Sequence, residues 1–274
     1  VIQKQLITGD NFVLKKLKII IKILFIYPII VISANNSMAA EGLDLLKNKW
    51  SFEGLFGTFD RASLRRGYQV YNEVCSGCHS MKLLSYRNLS EKGGPEFSRE
   101  DSKNIAASFE VIDGPNSEGE MFTRPGRLSD KFVKPYPNVQ AAEAANGGAY
   151  PPDMSVLVKA RKDGANYIYS ILLGYEDPPE GFELDEGVYY NKYMPGHSIK
   201  MPNVLFDGLL DYADGTEATT QQMAKDITTF LTWASEPSLE ARHKIGFKVI
   251  LYLIILAFVV HLSLKKLWSR IESK

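Results

Sequence analysis

Cys75-Ser76-Gly77-Cys78-His79 is the stretch around which the sequence is organised, and it contains the only two cysteines among 274 residues. The spacing C-x-x-C-H is typical of covalent attachment of a c-type haem. Each thiol can form a thioether with one haem vinyl group, and the adjacent imidazole can bind the iron as proximal ligand. The motif therefore predicts one covalent haem c, held by Cys75, Cys78 and His79.

Two other uses of a C-x-x-C pair fit this sequence less well. A structural zinc site usually needs four closed ligands, commonly from two such pairs, and the sequence has no second pair. The other histidines, His197, His243 and His261, are far apart in the chain. A thioredoxin-like redox pair needs a βαβ context, which the flanking sequence lacks. We therefore prefer the haem interpretation.

The net charge of zero hides a strong asymmetry along the chain. Residues 41–240 contain 20 basic and 30 acidic residues, a net charge of −10, whereas residues 1–40 and 241–274 are both basic. Nucleic acid phosphates require Lys and Arg, so the acidic middle argues against a nucleic acid partner. Complementary fields speed protein encounter, so the acidic body suggests a basic protein partner. Solubility alone is the alternative explanation of this charge.

The N-terminal segment has the layout of a secretory signal peptide. Four lysines between residues 15 and 22 precede an apolar stretch at 23–32, and small or polar residues dominate 33–40. This order of basic, apolar and small residues predicts that 1–40 is a signal peptide, cleaved after Ala39 or Ala40. An uncleaved anchor is the alternative, but the apolar stretch is short for a bilayer span.

Near the C-terminus, residues 245–264 are predominantly apolar, with Lys248 and His261 close to the two ends. Twenty residues of helix span roughly 30 Å, the thickness of one hydrocarbon core. The basic segment 265–274 follows, and cytoplasmic flanks are enriched in Lys and Arg. We therefore expect one transmembrane helix at 245–264, a cytoplasmic basic tail at 265–274 and an exported domain at 41–240.

Capping residues and apolar periodicity predict helices within the exported domain. Asp60 is a good N-cap for a helix running to about Val74, which would bring Cys75 to the helix end. Its apolar stripe consists of Leu64, Tyr68 and Tyr71.

Further helices are expected over 98–109, 153–161, 165–173 and 216–233, from their caps and apolar faces. The glycine- and proline-rich stretch 146–153 is predicted to be a loop. A separate acidic segment, defined here as residues 176–186, carries six carboxylates: Glu176, Asp177, Glu180, Glu183, Asp185 and Glu186. A solvated loop is the plain interpretation of that segment, and docking of a basic partner is the functional one.

The sixth coordination position of a His-ligated iron decides its chemistry. A methionine gives an electron carrier of raised potential, a second histidine generally a lower potential, and an open position allows ligand binding or peroxide activation. The downstream candidates are Met121, Met154, Met194, Met201, Met223 and His197. Met223 fits the apolar stripe of its helix, whereas Met194 and Met201 each precede a proline in a loop-rich stretch. Spacing alone does not choose between those two.

Several stretches outside the motif carry a resemblance to a known family. They are Trp50-Ser51-Phe52, Gly57-Thr58-Phe59-Asp60, Arg66-Gly67-Tyr68-Gln69-Val70-Tyr71, Tyr86-Arg87-Asn88-Leu89, Arg124-Pro125-Gly126, the 146–153 loop, 193–196, Asp214-Gly215-Thr216 and Phe230-Leu231-Thr232-Trp233. With these stretches the chain resembles the cytochrome c1 family, the haem c subunits of ubiquinol–cytochrome c reductase (respiratory complex III), and we take the bacterial type as the match. The resemblance covers residues from about 41 to 270.

The resemblance also implies roles for two residues outside the motif. Met201, in the context Ile199-Lys200-Met201-Pro202, matches the axial methionine, so the metal ligands would be His79 and Met201. Arg124 matches a residue near a haem propionate, where a guanidinium fork suits a carboxylate. A surface salt bridge is the alternative for Arg124. The family usually has a small residue where this chain has Lys200, and more prolines after the methionine.

The fold implied by the resemblance is an all-α, cytochrome c-like haem domain with long loop insertions and one C-terminal transmembrane helix. The helix at 60–74 should pack against the one at 216–233 beside the haem. The implied location is the inner membrane of a bacterium, with the haem domain in the periplasm.

The implied function is that of a one-electron carrier, which forms an enzyme only as a subunit of ubiquinol–cytochrome c oxidoreductase. It would accept electrons from the Rieske iron–sulfur protein and reduce a soluble or membrane-bound cytochrome c, with cytochrome b and membrane lipid as its membrane partners. Another membrane-anchored monohaem cytochrome feeding a terminal oxidase is the alternative. A ligand-binding or peroxidatic haem protein and a colourless thiol redox or zinc protein are more distant ones.

Overall fold

The computed structural model describes residues 44–272, so the predicted signal peptide at 1–40 lies outside the described residues. The elements follow one another as α1 (Arg61–Val70), α2 (Arg99–Ala107), β1 (Glu110–Asp113), β2 (Phe122–Pro125), α3 (Val139–Ala145), α4 (Gly164–Leu173), β3 (Tyr189–Tyr190), β4 (Ser198–Ile199), α5 (Thr220–Ser235) and α6 (Leu239–Glu272). Short 3₁₀ turns cover Tyr86–Ser90 and Pro195–His197. The strands form two separate antiparallel pairs, β1 with β2 and β3 with β4. The mainly helical fold class is thus confirmed.

Helix α1 begins where the sequence predicted it. The Asp60 carboxylate accepts a hydrogen bond from the Ala62 amide at 3.0 Å, as an N-cap should. After Val70 the helix widens into a π-helical turn over Tyr71–Cys75, which carries the chain to the first cysteine. The prediction of one continuous helical segment leading into the motif is confirmed.

Helices α1 and α5 pack against each other at close range, as predicted. A Cβ atom built on Gly67 would lie 2.2 Å from the Asp226 carbonyl oxygen, so the glycine permits this approach. Beside it, the rings of Tyr68 and Phe230 meet edge to face at 5.8 Å between centroids. A glycine and two aromatic rings thus set the spacing of the two helices.

A buried charge also lies between these helices. The Asp226 side chain is fully buried on α5 and accepts hydrogen bonds from the Ser63 hydroxyl at 2.6 Å and from Arg66 Nε at 2.8 Å. Arg66 binds Asp214 as well, at 2.7 Å. A buried carboxylate is tolerated when it is paired and hydrogen-bonded, and removing one partner of such a pair is strongly destabilising.

Two helix boundaries agree with the sequence prediction, and a third lies four residues later than predicted. Ser98 caps α2 by accepting a hydrogen bond from the Asp101 amide at 2.9 Å, and α4 ends at Gly174 as expected. The helix predicted from residue 216 begins later, at Thr220, because Thr219 is its N-cap and accepts from the Gln222 amide at 3.1 Å.

The predicted helix over 153–161 is wrong, because those residues form turns. The Asp153 carboxylate does not cap a helix there, since it binds the Ser80 hydroxyl and the Lys82 amide instead. The sequence analysis did not predict α3, which Asn138 caps, or either of the strand pairs, β1–β2 and β3–β4. The stretch 146–153 contains no helix or strand, as predicted.

Helix α6 contains the apolar stretch 245–264 and is the one helix within 44–272 that is long and apolar enough to cross a membrane. Its side chains from Phe247 to Leu264 are exposed, so they do not form part of the soluble core. A core helix would bury such residues, and a large exposed apolar surface marks a membrane or partner contact. The helix therefore has the properties of a single-pass membrane anchor.

Candidate haem site

The C-x-x-C-H motif forms a compact turn at the end of the α1 segment. The Ser76 amide donates to the Tyr71 carbonyl at 2.8 Å, and the His79 amide donates to the Cys75 carbonyl at 2.9 Å. Cys75 is buried, whereas Cys78 is exposed. The turn brings both thiols and the histidine into one short segment of backbone.

The Cys75 thiol does not resemble that of a redox-active cysteine. Burial, with a smaller contribution from Cys78, raises the pKa of Cys75 to about 12, so its thiol is protonated at neutral pH. Redox-active cysteines have lowered pKa values and often lie at a helix N-terminus, whereas Cys75 ends a helical segment. Over residues 44–272 no three His, Cys, Asp or Glu side chains are grouped so that they could hold a metal ion.

The His79 ring is buried and fixed by the 146–153 loop. Its Nδ1 lies 2.9 Å from the Pro152 carbonyl oxygen, and because a carbonyl only accepts, Nδ1 carries the hydrogen. Burial lowers the pKa of His79 and outweighs the opposing effects of this hydrogen bond and of Asp153. The imidazole is therefore neutral, with the Nε2 lone pair available to a metal. Metal-binding histidines typically donate the N–H of their other ring nitrogen to a carbonyl or carboxylate oxygen, as His79 does here.

Asp153 holds the backbone that follows His79. Its carboxylate accepts hydrogen bonds from the Ser80 hydroxyl at 2.8 Å, the Lys82 amide at 3.0 Å and the Ser155 amide at 3.0 Å. Burial acts to raise the pKa of Asp153, but these hydrogen bonds outweigh it and the pKa is lowered. The carboxylate is thus ionised at neutral pH and joins the motif to the 146–153 loop.

A groove with a volume of about 310 Å³ opens beside Cys78. It is lined by residues 135–137 on one side and by Tyr150 and Pro151 of the 146–153 loop on the other. Proline rings and tyrosine rings present flat apolar surfaces, which suit a flat macrocycle. Of the three side chains that the motif provides for haem binding, Cys78 lines this groove, and the groove's aromatic and proline rings fit a covalently bound haem c.

Three of the candidate methionines lie either in the apolar core or on the surface. Met223 on α5 is fully buried and Met154 is 7% exposed, and both belong to the apolar core. Met121 adjoins β2 in the hairpin and is 60% exposed. The core position predicted for Met223 from its helical stripe is confirmed.

Met194 and Met201 differ in what surrounds them. The sulfur of Met194 accepts a hydrogen bond from the Tyr167 hydroxyl at 3.6 Å. Met201 is half-buried just after β4, and its carbonyl accepts a hydrogen bond from the Tyr175 hydroxyl at 2.8 Å. The Lys200 ammonium before it donates to the Gly147 carbonyl at 3.1 Å. The 146–153 loop therefore contacts both His79, through its Pro152 carbonyl, and the segment that carries Met201.

His197, the remaining sixth-ligand candidate, stacks on the Tyr190 ring with 5.6 Å between centroids. It lies in a turn with a backbone φ of 55°. Its Nδ1 is buried without a hydrogen-bond partner among residues 44–272. The ring is thus part of the packing around the β3–β4 pair.

Arg124 lies on β2 in a network of two carboxylates. Its Nε donates to Asp113, and its two terminal nitrogens donate to Asp130 at 2.6 and 3.1 Å. A further N–H reaches the Pro125 carbonyl at 3.1 Å. The hydrogen bonds that Arg124 donates to Asp130 and Asp113 raise the pKa of Arg124, so it stays charged. Four of its five N–H donors are used by described residues, which leaves one for another acceptor.

Comparison with known proteins identifies the family. The sequence model of the family described as "Cytochrome C1 family" matches residues 50–271. The chain belongs to the cytochrome c1 family. It is 49% identical to "Cytochrome c1 2, heme protein, mitochondrial" of Arabidopsis thaliana over 88% of this chain and 78% of that protein. It is 47% identical to "Cytochrome c1" of Rhodospirillum rubrum over 84% of this chain and 90% of that protein. A third relative, "Cytochrome b/c1" of Bradyrhizobium diazoefficiens, is 47% identical over 86% of this chain and 37% of that protein.

Cytochrome c1 proteins carry covalent haem c, and this member has both cysteines of the attachment motif. Membership implies a haem electron carrier of the cytochrome bc1 complex, whose other members include cytochrome b and the Rieske protein. The cofactor predicted from the motif and the predicted family are thus confirmed.

Sequence reasoning missed several groups that build this cytochrome c1 site. The Pro152 carbonyl is backbone, so no side-chain pattern could identify it. Asp153 could have been recognised as a turn residue, because an Asp side chain often accepts a hydrogen bond from the backbone amide two residues later, which here belongs to Ser155.

Proposed function

We propose that this cytochrome c1 family member is a one-electron carrier in which Cys75 and Cys78 hold haem c and His79 and Met201 bind its iron. The haem iron supplies reversible one-electron chemistry, and the protein supplies binding, orientation and electrostatics. The observation that carries the proposal is the buried His79 ring, whose Nδ1–H is fixed by the Pro152 carbonyl.

The same loop supports the assignment of Met201. Lys200 donates to the Gly147 carbonyl, and a Cβ built on Gly148 would lie 3.8 Å from the Lys200 ammonium nitrogen. The segment that carries Met201 therefore rests on the loop whose Pro152 holds His79. This contact, and the Tyr175 hydrogen bond to the Met201 carbonyl, would position the thioether by backbone rather than by a helix.

Arg124 is proposed to face a haem propionate. Its guanidinium is held by Asp113 and Asp130, so its direction is fixed before any ligand binds. The Arg124 side chain is 15% exposed, and one of its N–H donors remains for a carboxylate. An Arg–carboxylate contact is charge-assisted and stronger than a neutral hydrogen bond.

The test of the axial ligand is an optical spectrum of the purified membrane protein carrying Met201→Ala, with Met194→Ala as the matched control. Loss of a thioether ligand should remove the ferric sulfur–iron charge-transfer band and let the ferrous form bind carbon monoxide. Both changes are expected for Met201→Ala and neither for Met194→Ala. The reverse result would make Met194 the ligand, and two unchanged spectra would exclude both methionines.

The proposed route takes electrons from the Rieske iron–sulfur protein to a soluble or membrane-bound cytochrome c. Cytochrome b is the proposed neighbour in the membrane, which the fused name of the Bradyrhizobium diazoefficiens relative supports. The activity would belong to the assembled ubiquinol–cytochrome c oxidoreductase, with this chain as its electron-carrying subunit. The family match over 50–271 favours this role over that of a monohaem cytochrome feeding an oxidase.

The proposed topology places the haem domain, 41–240, in the periplasm of a bacterium, after removal of a signal peptide at 1–40. Helix α6 would cross the inner membrane at 245–264 and leave the basic tail 265–274 in the cytoplasm. Mitochondrial and bacterial relatives are similar to the chain at 49% and 47% identity. Because the two kinds of relative are about equally similar, the identity values do not determine the orientation. The proposed orientation rests on the Lys and Arg residues of the tail, which favour the cytoplasmic side.

The acidic segment is proposed as the docking surface for a basic cytochrome c. All six of its carboxylates are exposed, and none forms an ion pair within the described part of the chain. Unpaired surface charges act mainly on the association rate and are screened by salt.

The docking proposal predicts slower cytochrome c reduction by Glu183→Gln/Glu186→Gln at low salt, with a weaker salt dependence. The matched control is Glu118→Gln/Glu120→Gln, which removes two exposed charges from the β1–β2 loop. Stopped-flow rates between low and high ionic strength compare the two variants. Equal slowing in both would assign the effect to net charge rather than to the acidic segment.

A further inference from the structure

A second pocket, with a volume of about 260 Å³, lies where α6 leaves the soluble domain. It is lined by residues 56–58 on one side and by Glu240, His243, Lys244, Phe247 and Lys248 of α6 on the other. None of these residues belongs to the proposed haem site. The pocket adjoins the beginning of the apolar stretch 245–264.

The two walls of this pocket are joined by specific contacts. The rings of Phe56 and Phe247 meet edge to face at 5.8 Å between centroids. His243 Nδ1 lies 3.2 Å from the Gly57 carbonyl and donates its hydrogen to that oxygen. Phe56 is nevertheless 75% exposed and Phe247 56% exposed. The pocket thus combines a fixed shape with uncovered aromatic surface.

The pocket carries positive charge that the soluble domain does not neutralise. Lys244 and Lys248 are exposed and four residues apart on a helix, so they lie on the same face. Neither forms an ion pair with a residue of 44–272. The one carboxylate in the lining, Glu240, accepts hydrogen bonds from Arg61 at 2.8 and 2.9 Å and from the Phe59 amide at 2.9 Å, and its attraction to Lys244 acts without a direct ion pair. Two lysines therefore remain available for an anion.

We propose that this pocket binds the phosphate headgroup of an acidic phospholipid in the membrane leaflet on the haem-domain side. The phosphate would lie between Lys244 and Lys248, and the upper part of an acyl chain would lie along Phe56 and Phe247. Lys248 comes just before the uninterrupted apolar residues of the span. Its ammonium group would therefore lie at the depth of the lipid headgroups. Aromatic side chains are enriched at the same depth. The inference rests on the proposed membrane anchoring.

The experiment uses the purified holoprotein in nanodiscs that contain a diazirine-bearing phosphatidylglycerol or phosphatidylcholine, followed by peptide mapping of the adducts. The test variant is Lys244→Gln/Lys248→Gln. The matched control is Lys265→Gln/Lys266→Gln, which removes two lysines from the other end of the same helix. Each lysine near an anionic lipid surface contributes about fivefold in affinity.

In the wild type, the phosphatidylglycerol probe should label residue 56 and residues 240–248 more strongly than the phosphatidylcholine probe. This preference should fall by about fivefold or more in Lys244→Gln/Lys248→Gln and stay unchanged in the control variant. Equal labelling by both probes, or a preference that survives the test variant, would overturn the headgroup site. Adducts along 249–264 report anchoring separately, and their absence would overturn the anchoring and the headgroup site together.

Discussion

The close approach of α1 and α5 at Gly67 makes a specific prediction about stability. In Gly67→Ala the new methyl group would lie 2.2 Å from the Asp226 carbonyl oxygen and 2.7 Å from the Phe230 Cβ atom. Normal contacts of this kind are about 3.5 Å, so the helices must separate by about 1 Å. Overpacking costs about 1–3 kcal/mol. We use the upper end of this range, about 3 kcal/mol, because the first contact is with backbone, which no side-chain rotamer change can move.

The substitution also has a favourable effect, since alanine is about 1 kcal/mol better than glycine within a helix. The net loss in the free energy of unfolding should therefore be about 2 kcal/mol. For a domain of this size that corresponds to a fall in melting temperature of about 4–8 °C. Urea unfolding followed by far-UV circular dichroism measures the first quantity, and thermal unfolding measures the second.

Gly77→Ala is the matched control for this prediction, because no heavy atom lies within 4 Å of a Cβ built on Gly77. It should leave the melting temperature nearly unchanged and retain haem. A Gly67→Ala protein as stable as the Gly77→Ala protein would refute the argument that backbone contact at Gly67 sets the distance between the helices.

Two further predictions concern carboxylates. Asp153→Ala should lower the free energy of unfolding by about 2–3 kcal/mol in urea titrations, because it leaves the Ser80 hydroxyl and two amides without their acceptor. Asp153→Asn should lose about half as much, and equal losses would show that charge rather than acceptor geometry matters. The amide of Thr216 and the Arg66 guanidinium lower the pKa of Asp214 to about 2, below an unfolded value of about 3.9. Its stabilisation should be complete above about pH 4 and disappear as the pH falls to about 2, so the urea midpoints of wild type and Asp214→Asn should converge over that interval. A constant difference would contradict the pairing with Arg66.

Local signals in the sequence predicted the elements whose stability depends on local contacts. Asp60 and Ser98 cap their helices with their own side chains, and the apolar stripes of α1 and α5 face each other as their periodicity requires. The apolar length of 245–264 needed no tertiary information either. In each case the residues that determine the element lie within a few positions of one another.

The errors occurred where distant residues decide the conformation. Asp153 looks like a helix cap, yet its carboxylate is used by residues 71 to 73 positions earlier in the chain. The β1–β2 hairpin is only four residues long on each strand, and Arg124 ties it together through Asp113 and Asp130. Such contacts have no periodic signature. The choice of Met201 over Met194 likewise required a family resemblance, because both precede a proline.

Helix α6 has a consequence for how the domain is oriented in the membrane. It begins at Leu239, with only three residues between it and the end of α5, and Glu240 binds Arg61 and the Phe59 amide of the soluble domain. In the proposed topology this helix continues unbroken to the other side of the bilayer, so the domain and its anchor turn as one body. One residue inserted after Glu240 would rotate the span by about 100° and lengthen it by about 1.5 Å. The direction in which the haem domain faces, measured as a rotation about the membrane normal, therefore depends on the number of residues in that turn of helix.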